Sequence, residues 1–218
     1  MPSVSDFPEL QALLATNESW AKNTAENDPE LLPTLATGQK PGFLWIGCAD
    51  SRVPETTVLG KKPGDVFVHR NIANQFHLDD ASANALLNYG VLHVGTKHGA
   101  FYPSAVDPHR KTELTPVIVT GHTACGGCIA AHSLPADTEP SNALLEFLGP
   151  LIKLRAGLGA DATVEDLMVA NVKQGVENVC NSAEAWAKGK DVYVHGWVYD
   201  LASGRCHDLG ISRGPPSA

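Results

Sequence analysis

The sequence predicts an α/β fold, with a mostly parallel central β-sheet flanked by helices and with helical arms at the N-terminus. Three observations carry this. Four short apolar runs, FLWIG (43–47), VFVHR (66–70), PVIVTG (116–121) and DVYVHGWVYD (191–200), are rich in β-branched and aromatic residues and bounded by turn chemistry, as strands are. They are continuous rather than alternating, which suits strands buried on both faces beneath helices. The stretches between them carry helical period instead, and strands alternating with helices define an α/β class.

Taken in chain order, residues 5–36 are polar with scattered Leu and Trp. Ser5 is a candidate cap for a helix through LQALLA, and Asn17 for one through SWAKNTAEN. Both read as arms rather than core, and the arm is placed at 1–36. Residues 38–42 form a loop before the first strand. Residues 96–115 contain Pro, Gly and charges without a period and read as an exposed loop. Residues 141–157 are helical in pattern, with Pro150 expected to kink or split them. Thr163 and Asp166 flank a capped start. Val164, Leu167, Met168, Val172, Val176, Val179 and Cys180 then recur at spacings of three and four.

With 218 residues, of which 43% are hydrophobic, the chain can bury one sizeable core, and 1–218 reads as a single domain. A net charge of -8 excludes the basic stripe a nucleic-acid binder needs. No run of 18 apolar residues occurs, so no membrane-spanning helix is expected. The N-terminal MPSVSDFPELQALLA has neither a charged n-region with a long apolar core nor an Arg-rich, acid-poor character, which gives the expectation of a cytoplasmic protein. Five cysteines without a secretory signal make a poor disulfide framework. In a reducing compartment, closely spaced cysteines point instead to metal or redox chemistry.

Two of the strands end on potential metal donors. LWIGCADSR places Cys48, Asp50 and Arg52 after the first, and VIVTGHTACGGC places His122 and Cys125 after the third. Sites in open parallel sheets form beyond the carboxyl ends of strands, so these loops are expected to meet. Two thiolates and an imidazole leave zinc one position short of tetrahedral, the mark of a catalytic site. Water and Asp50 are the candidates for that position. Arg52 can hold Asp50 ionised and turned away by bidentate geometry. Zinc then lowers the pKa of bound water to about 7, giving hydroxide near neutral pH. Singly, Cys48 would read as a core thiol and His122 as a structural residue; the constellation overturns both. Cys180 and Cys206 read as structural.

CADSRVP, GDVFVHRNIAN and GHTACGG, with NESWA (17–21) before them and HGWVYD (195–200) after, resemble the β-class carbonic anhydrases. The resemblance runs in order from about Asn17 to Leu209 and is interrupted at 96–115, which is longer than in compact members and is identified as an insertion. It implies that Cys48, His122 and Cys125 are zinc ligands. Asp50 and Arg52 match the catalytic dyad that gates the fourth ligand, with Asp50 able to close the site by binding the metal itself. Gln39 matches a residue that reaches the active site across a dimer interface. Gly126 and Gly127 match glycines lining the substrate pocket, and Trp45, Arg70 and Tyr199 match a pocket for inhibitory bicarbonate. The cofactor implied is Zn2+, the substrate carbon dioxide or bicarbonate, and the assembly a homodimer that can pair into a tetramer.

The function expected is reversible hydration of carbon dioxide to bicarbonate and a proton by zinc-bound hydroxide. Because two thiolates cancel the formal charge of zinc, the rate should rise with pH with a midpoint above neutrality. Three alternatives compete. The same hydroxide could hydrolyse carbonyl sulfide or carbon disulfide. Cys125 and Cys128 form a C-x-x-C that could serve a thiol redox or sensor protein. A non-catalytic zinc module is the third, against which the Asp50–Arg52 pair argues.

Overall fold

The computed structural model describes residues 3–94, 115–182 and 192–214. The chain forms two compact units, Met1–Gln39 and Lys40–Ala218. The first is helical. Its α1 (Pro8–Asn27) is one uninterrupted helix, followed by α2 (Leu31–Thr37). The two capped helices expected here are corrected accordingly. Ser5 lies in a short 3-10 turn that Ser3 caps, and α1 begins with Phe7 at the N-cap and Pro8 in its first turn, where a missing N–H costs nothing. Asn17 lies inside α1. Thr16 and Ser19 on either side donate their hydroxyls to carbonyls four residues back, at 2.9 and 3.0 Å, and so fit a helix interior.

The second unit is built on a five-stranded sheet: β1 (Phe43–Cys48), β2 (Val66–Asn71), β3 (Thr115–His122), β4 (Val192–Asp200) and β5 (Arg205–Asp208). The order is β2-β1-β3-β4-β5, with parallel pairing throughout except between β4 and β5. The mostly parallel α/β class expected from the apolar runs is therefore the class found. Burial is less uniform than continuous runs suggested. β1 is buried almost throughout, but β2 is half-buried at every residue because it lies at the sheet edge. β5 had no counterpart among the expected strands. Most of the loop expected at 96–115 lies outside the described residues; Thr115 opens β3.

Alternation along β1 splits the core in two. Leu44, Ile46 and Cys48 face the larger cluster, with Val117 and Val119 of β3 and the apolar side of α7 (Val164–Asn181). Trp45 faces a smaller cluster with Val53, Ile118 and Tyr199. Leu167, Val172, Val176 and Val179 of α7 are fully or nearly fully buried; each such side chain stabilises the fold by about 1.5–3 kcal/mol. The start of α7 is as expected: Thr163 Oγ1 accepts from Asp166 N–H, while the Asp166 carboxylate accepts from Thr163 N–H. α6 (Ala143–Gly157) runs through Pro150 without splitting. Among the described residues, no helix is long and apolar enough to cross a membrane.

The strand order positions the site. From β1 the chain goes to β2 on one side and later returns to β3 on the other. The direction of winding therefore reverses between β1 and β3, and a crevice opens at their carboxyl ends. Cys48 is the last residue of β1 and His122 the last of β3.

Candidate metal centre

Three side chains converge in that crevice. Cys48 Sγ and Cys125 Sγ lie 4.0 Å apart, and these two sulfurs and a ring nitrogen of His122 all fall within 4.8 Å of one another. All three residues are buried. β1 delivers Cys48 and β3 delivers His122. Cys125 arrives at the N-cap of α5 (Gly126–Ser133), after a turn in which Ala124 takes a left-handed φ of 52°.

The imidazole is fixed by its own chain. Nδ1 lies 2.9 Å from the Thr123 carbonyl, an acceptor, so this nitrogen carries the proton and donates. Nε2 is thereby left with a lone pair, and it is a buried atom with no hydrogen-bond partner among the described residues. An orphaned buried nitrogen facing two sulfurs is costly unless an ion completes it. A Cys₂His donor set of this softness and spacing fits zinc and leaves a fourth position open.

Electrostatics tell the same story from the protein side. Cys48 is pushed up to about 12, first by its hydrogen bond to Cys125 and then by burial. Cys125 is pushed up to about 11, chiefly by the neighbouring Cys128 thiol. Burial pulls His122 down, but the nearby Cys48 sulfur outweighs it and the imidazole ends above its ordinary value. Without a cation, the pocket holds both thiols protonated at neutral pH.

Asp50 and Arg52 stand beside this set. Asp50 Oδ1 accepts from Arg52 N–H and Nε at 2.9 Å each, and Oδ2 accepts from Nη2 at 2.7 Å. The guanidinium holds the carboxyl well below the usual carboxylate range, against a smaller opposing effect of burial. Oδ2 also lies 3.8 Å from His122 Nε2. Arg52 Nη2 donates in addition to the Ala124 carbonyl at 3.1 Å, stitching the loop after β1 to the loop carrying Cys125.

Arg70 of β2 does something the sequence did not announce. Its Nε donates to the Cys48 carbonyl at 2.8 Å and its Nη2 to the Asp50 carbonyl, so it braces the segment that presents both residues. Glu55 lies 3.7 Å from Nη1. Bonds to backbone carbonyls leave no residue pattern, so no signal pointed to this brace. Trp45 and Tyr199 share the smaller apolar cluster, and Trp45 Nε1 is buried without a hydrogen-bond partner among the described residues. Gln39 is exposed coil at the end of the first unit.

The two glycines after Cys125 differ. A Cβ on Gly126 would meet nothing within 4 Å, whereas one on Gly127 would come 2.9 Å from Ala73 Cβ and 3.0 Å from Ile72 Cγ2. Ala73 sits at φ 61°, so its Cβ cannot readily give way. Gly127→Ala is expected to destabilise the chain by about 1–3 kcal/mol through overpacking, and Gly126→Ala by far less. Thermal melts of the two variants check this; equal melting temperatures would contradict the close approach at Gly127.

A crevice at a strand-order reversal holds a Cys₂His donor set that could take a metal ion, beside an arginine-clamped carboxylate. Comparison with known proteins gives the family. The family model described as carbonic anhydrase matches residues 43–99 and 109–206. A carbonic anhydrase of Emericella nidulans is 33% identical over 208 residues, covering 91% of this chain and 82% of the relative. Among solved structures, one of two tetrameric β-carbonic anhydrases from Sordaria macrospora matches with TM-score 0.77 and 34% identity over 94% of this chain and 99% of the other. The β-carbonic anhydrase CafA of Aspergillus fumigatus matches with TM-score 0.75 and 38% identity over 94% and 92%. The chain belongs to the β-class carbonic anhydrase family, whose activity is hydration of carbon dioxide and whose metal is zinc.

Proposed function

We propose that this chain interconverts carbon dioxide and bicarbonate at a zinc ion held by Cys48, His122 and Cys125. The observation that carries the reading is the orphaned Nε2 of His122, aimed at two sulfurs with an intact Asp50–Arg52 pair alongside. When bound, zinc supplies the Lewis acidity that makes water nucleophilic near neutral pH. The protein's own residues do the rest. Asp50 stays ionised throughout the working range and offers an acceptor oxygen at the open position. Arg52 keeps that carboxylate turned to itself rather than to the metal. Burial of the centre excludes bulk water, and Gly126 leaves room for a small linear molecule. Arg70 holds the segment carrying Asp50 in place. An anion lodged by Trp45 and Tyr199 would compete for this guanidinium, which is how bicarbonate would inhibit.

The smallest active unit in this reading is a homodimer that can pair into a tetramer, with Gln39 reaching the partner's site and the 1–36 arm belonging to the same functional domain. Leu10, Leu13, Leu14 and Trp20 of α1 are exposed and in need of cover. The Sordaria relative is a tetramer by its description. The compartment proposed is the cytoplasm. An active monomer in sedimentation at assay concentration would contradict the assembly.

The role of Arg52 provides the direct test. Arg52→Ala should keep zinc yet lower kcat by about 100-fold, the scale of losing one well-placed electrostatic partner. Arg52→Lys should rescue only in part, since an ammonium lacks the planar fork that meets both oxygens of Asp50. Stopped-flow hydration assays paired with metal analysis decide it; near-normal turnover in Arg52→Ala removes the dyad from the mechanism.

A further inference from the structure

Cys128 has no task in the reading above, yet it is fully buried at the metal centre's edge. Cys125 is the N-cap of α5 and Cys128 its third residue, with the first helical bond running from Ile129 N–H to the Cys125 carbonyl at 2.9 Å. N-cap and N3 are the two positions whose side chains meet at a helix start. Two cysteines so placed have Cα atoms roughly 5–6 Å apart, inside the window a disulfide requires. The residues between are Gly126 and Gly127, and a side chain at Gly126 would meet only open space, so the first turn can adjust. Cys125 therefore stands between two sets of partners. On one side are Cys48, whose sulfur is 4.0 Å away, and His122. On the other is Cys128. Cys48 is poorly placed to swing, because strand pairing and the Arg70 bond to its carbonyl hold it at the end of β1.

We infer that Cys125 and Cys128 form a peroxide-sensitive switch, in which a Cys125–Cys128 disulfide withdraws one sulfur from the metal set and releases the metal. This rests on Cys125 being a metal ligand. The Cys125 sulfur attacks one oxygen of hydrogen peroxide; the O–O bond breaks, leaving a sulfenic acid and one water. The Cys128 sulfur then attacks the Cys125 sulfur and gives up its proton; the S–O bond breaks and a second water leaves. Two thiols lose two electrons and one peroxide gains them. Peroxide is about the size of the gas the site admits, so burial that excludes larger oxidants does not exclude it. A dithiol reverses the bond by exchange, and Cys125 is then free to take metal again.

The test uses the full zinc-loaded chain, exposed to equimolar hydrogen peroxide. Zinc release is followed with a chromophoric chelator, thiols are counted, cross-links are mapped by peptide mass, and hydration is assayed. Zinc release in step with the loss of two thiols and a cross-link joining Cys125 to Cys128 is the expected result, with activity regained after dithiothreitol and zinc. Cys128→Ala should bind zinc and turn over as the parent does. Under excess peroxide, about three or more equivalents per chain, its Cys125 should advance to sulfinic or sulfonic acid, each step consuming one further peroxide and releasing one further water, and dithiothreitol does not reverse either. If that variant fails to fold, the cross-link map of the parent decides alone. A cross-link between Cys48 and Cys125, zinc loss with all thiols intact, or full recovery of oxidised Cys128→Ala would each overturn the switch. A zinc-loaded chain that forms no such cross-link sinks the switch and leaves the metal reading standing; a chain that never binds zinc sinks both.

Discussion

Replacing Cys48 with serine should strip the chain of zinc and of carbon dioxide hydration together. A serine hydroxyl does not ionise at neutral pH and is a harder donor than a thiolate, so only His122 and Cys125 would remain to hold the ion. Losing an outer-shell partner of a metal site typically costs about 10–100-fold in affinity or activity; losing one of three direct donors should exceed that. Cys125→Ser should behave alike, because the two sulfurs occupy equivalent places 4.0 Å apart. Cys206→Ser, away on β5, should leave both zinc and turnover intact. Metal analysis and stopped-flow hydration on the same preparations make the comparison. Full activity in a zinc-free Cys125→Ser chain would end the proposal.

Zinc loading should depend steeply on pH. Both thiols are raised above their ordinary value of 9.0 in the metal-free chain, so at neutral pH both hold protons that binding must displace. Each displaced proton makes apparent affinity tenfold higher per pH unit, so two give about 100-fold per unit between pH 6 and 8. Calorimetry in buffers of different ionisation heat should find about two protons released per zinc near pH 8. His122, also raised, adds to the slope at the acid end. The same shifts fix the sign of a stability effect. The folded metal-free chain binds more protons than the unfolded one between about 9 and about 12. Its stability is therefore full below 9 and falls as pH rises through that window. The zinc-loaded chain holds thiolates instead, so its stability rises towards pH 9. A loading curve flat in pH would mean the sulfurs are not the donors.

Much of the site was legible because it lies where sequence patterns are strongest. FLWIG and PVIVTG each end a buried strand on a donor, and neighbouring parallel strands in register bring Cys48 and His122 to one crevice. The Thr163–Asp166 cap was equally plain, since both partners lie within one helical turn. The losses have physical causes. β5 reads RCHD, three polar residues and a cysteine with little burial, so it carries no apolar signal; only its pairing with β4 makes it a strand. Asn17 looks like a cap, yet the helix formers before it let α1 run through. The Arg70 brace and the Arg52 bond to Ala124 end on backbone oxygens, which every residue has. The closeness of Gly127 to Ala73 depends on a left-handed turn at Ala73 and Asn74; Asn enters that region readily, but Ala gives no sign of it.

The origins of the three donors also bear on time. His122 and Cys125 are three residues apart, and the bond from Nδ1 to the Thr123 carbonyl spans a single residue. That pair is ready as soon as β3 hands over to α5. Cys48 joins only when β1 lies parallel to β3, a contact between distant stretches whose closure is slow. A refolding chain should thus grip zinc loosely with two donors first and tightly with three once the sheet has zipped. The instant of tight capture then dates the pairing of β1 with β3, and the metal serves as a built-in stopwatch for the slowest step of its own host.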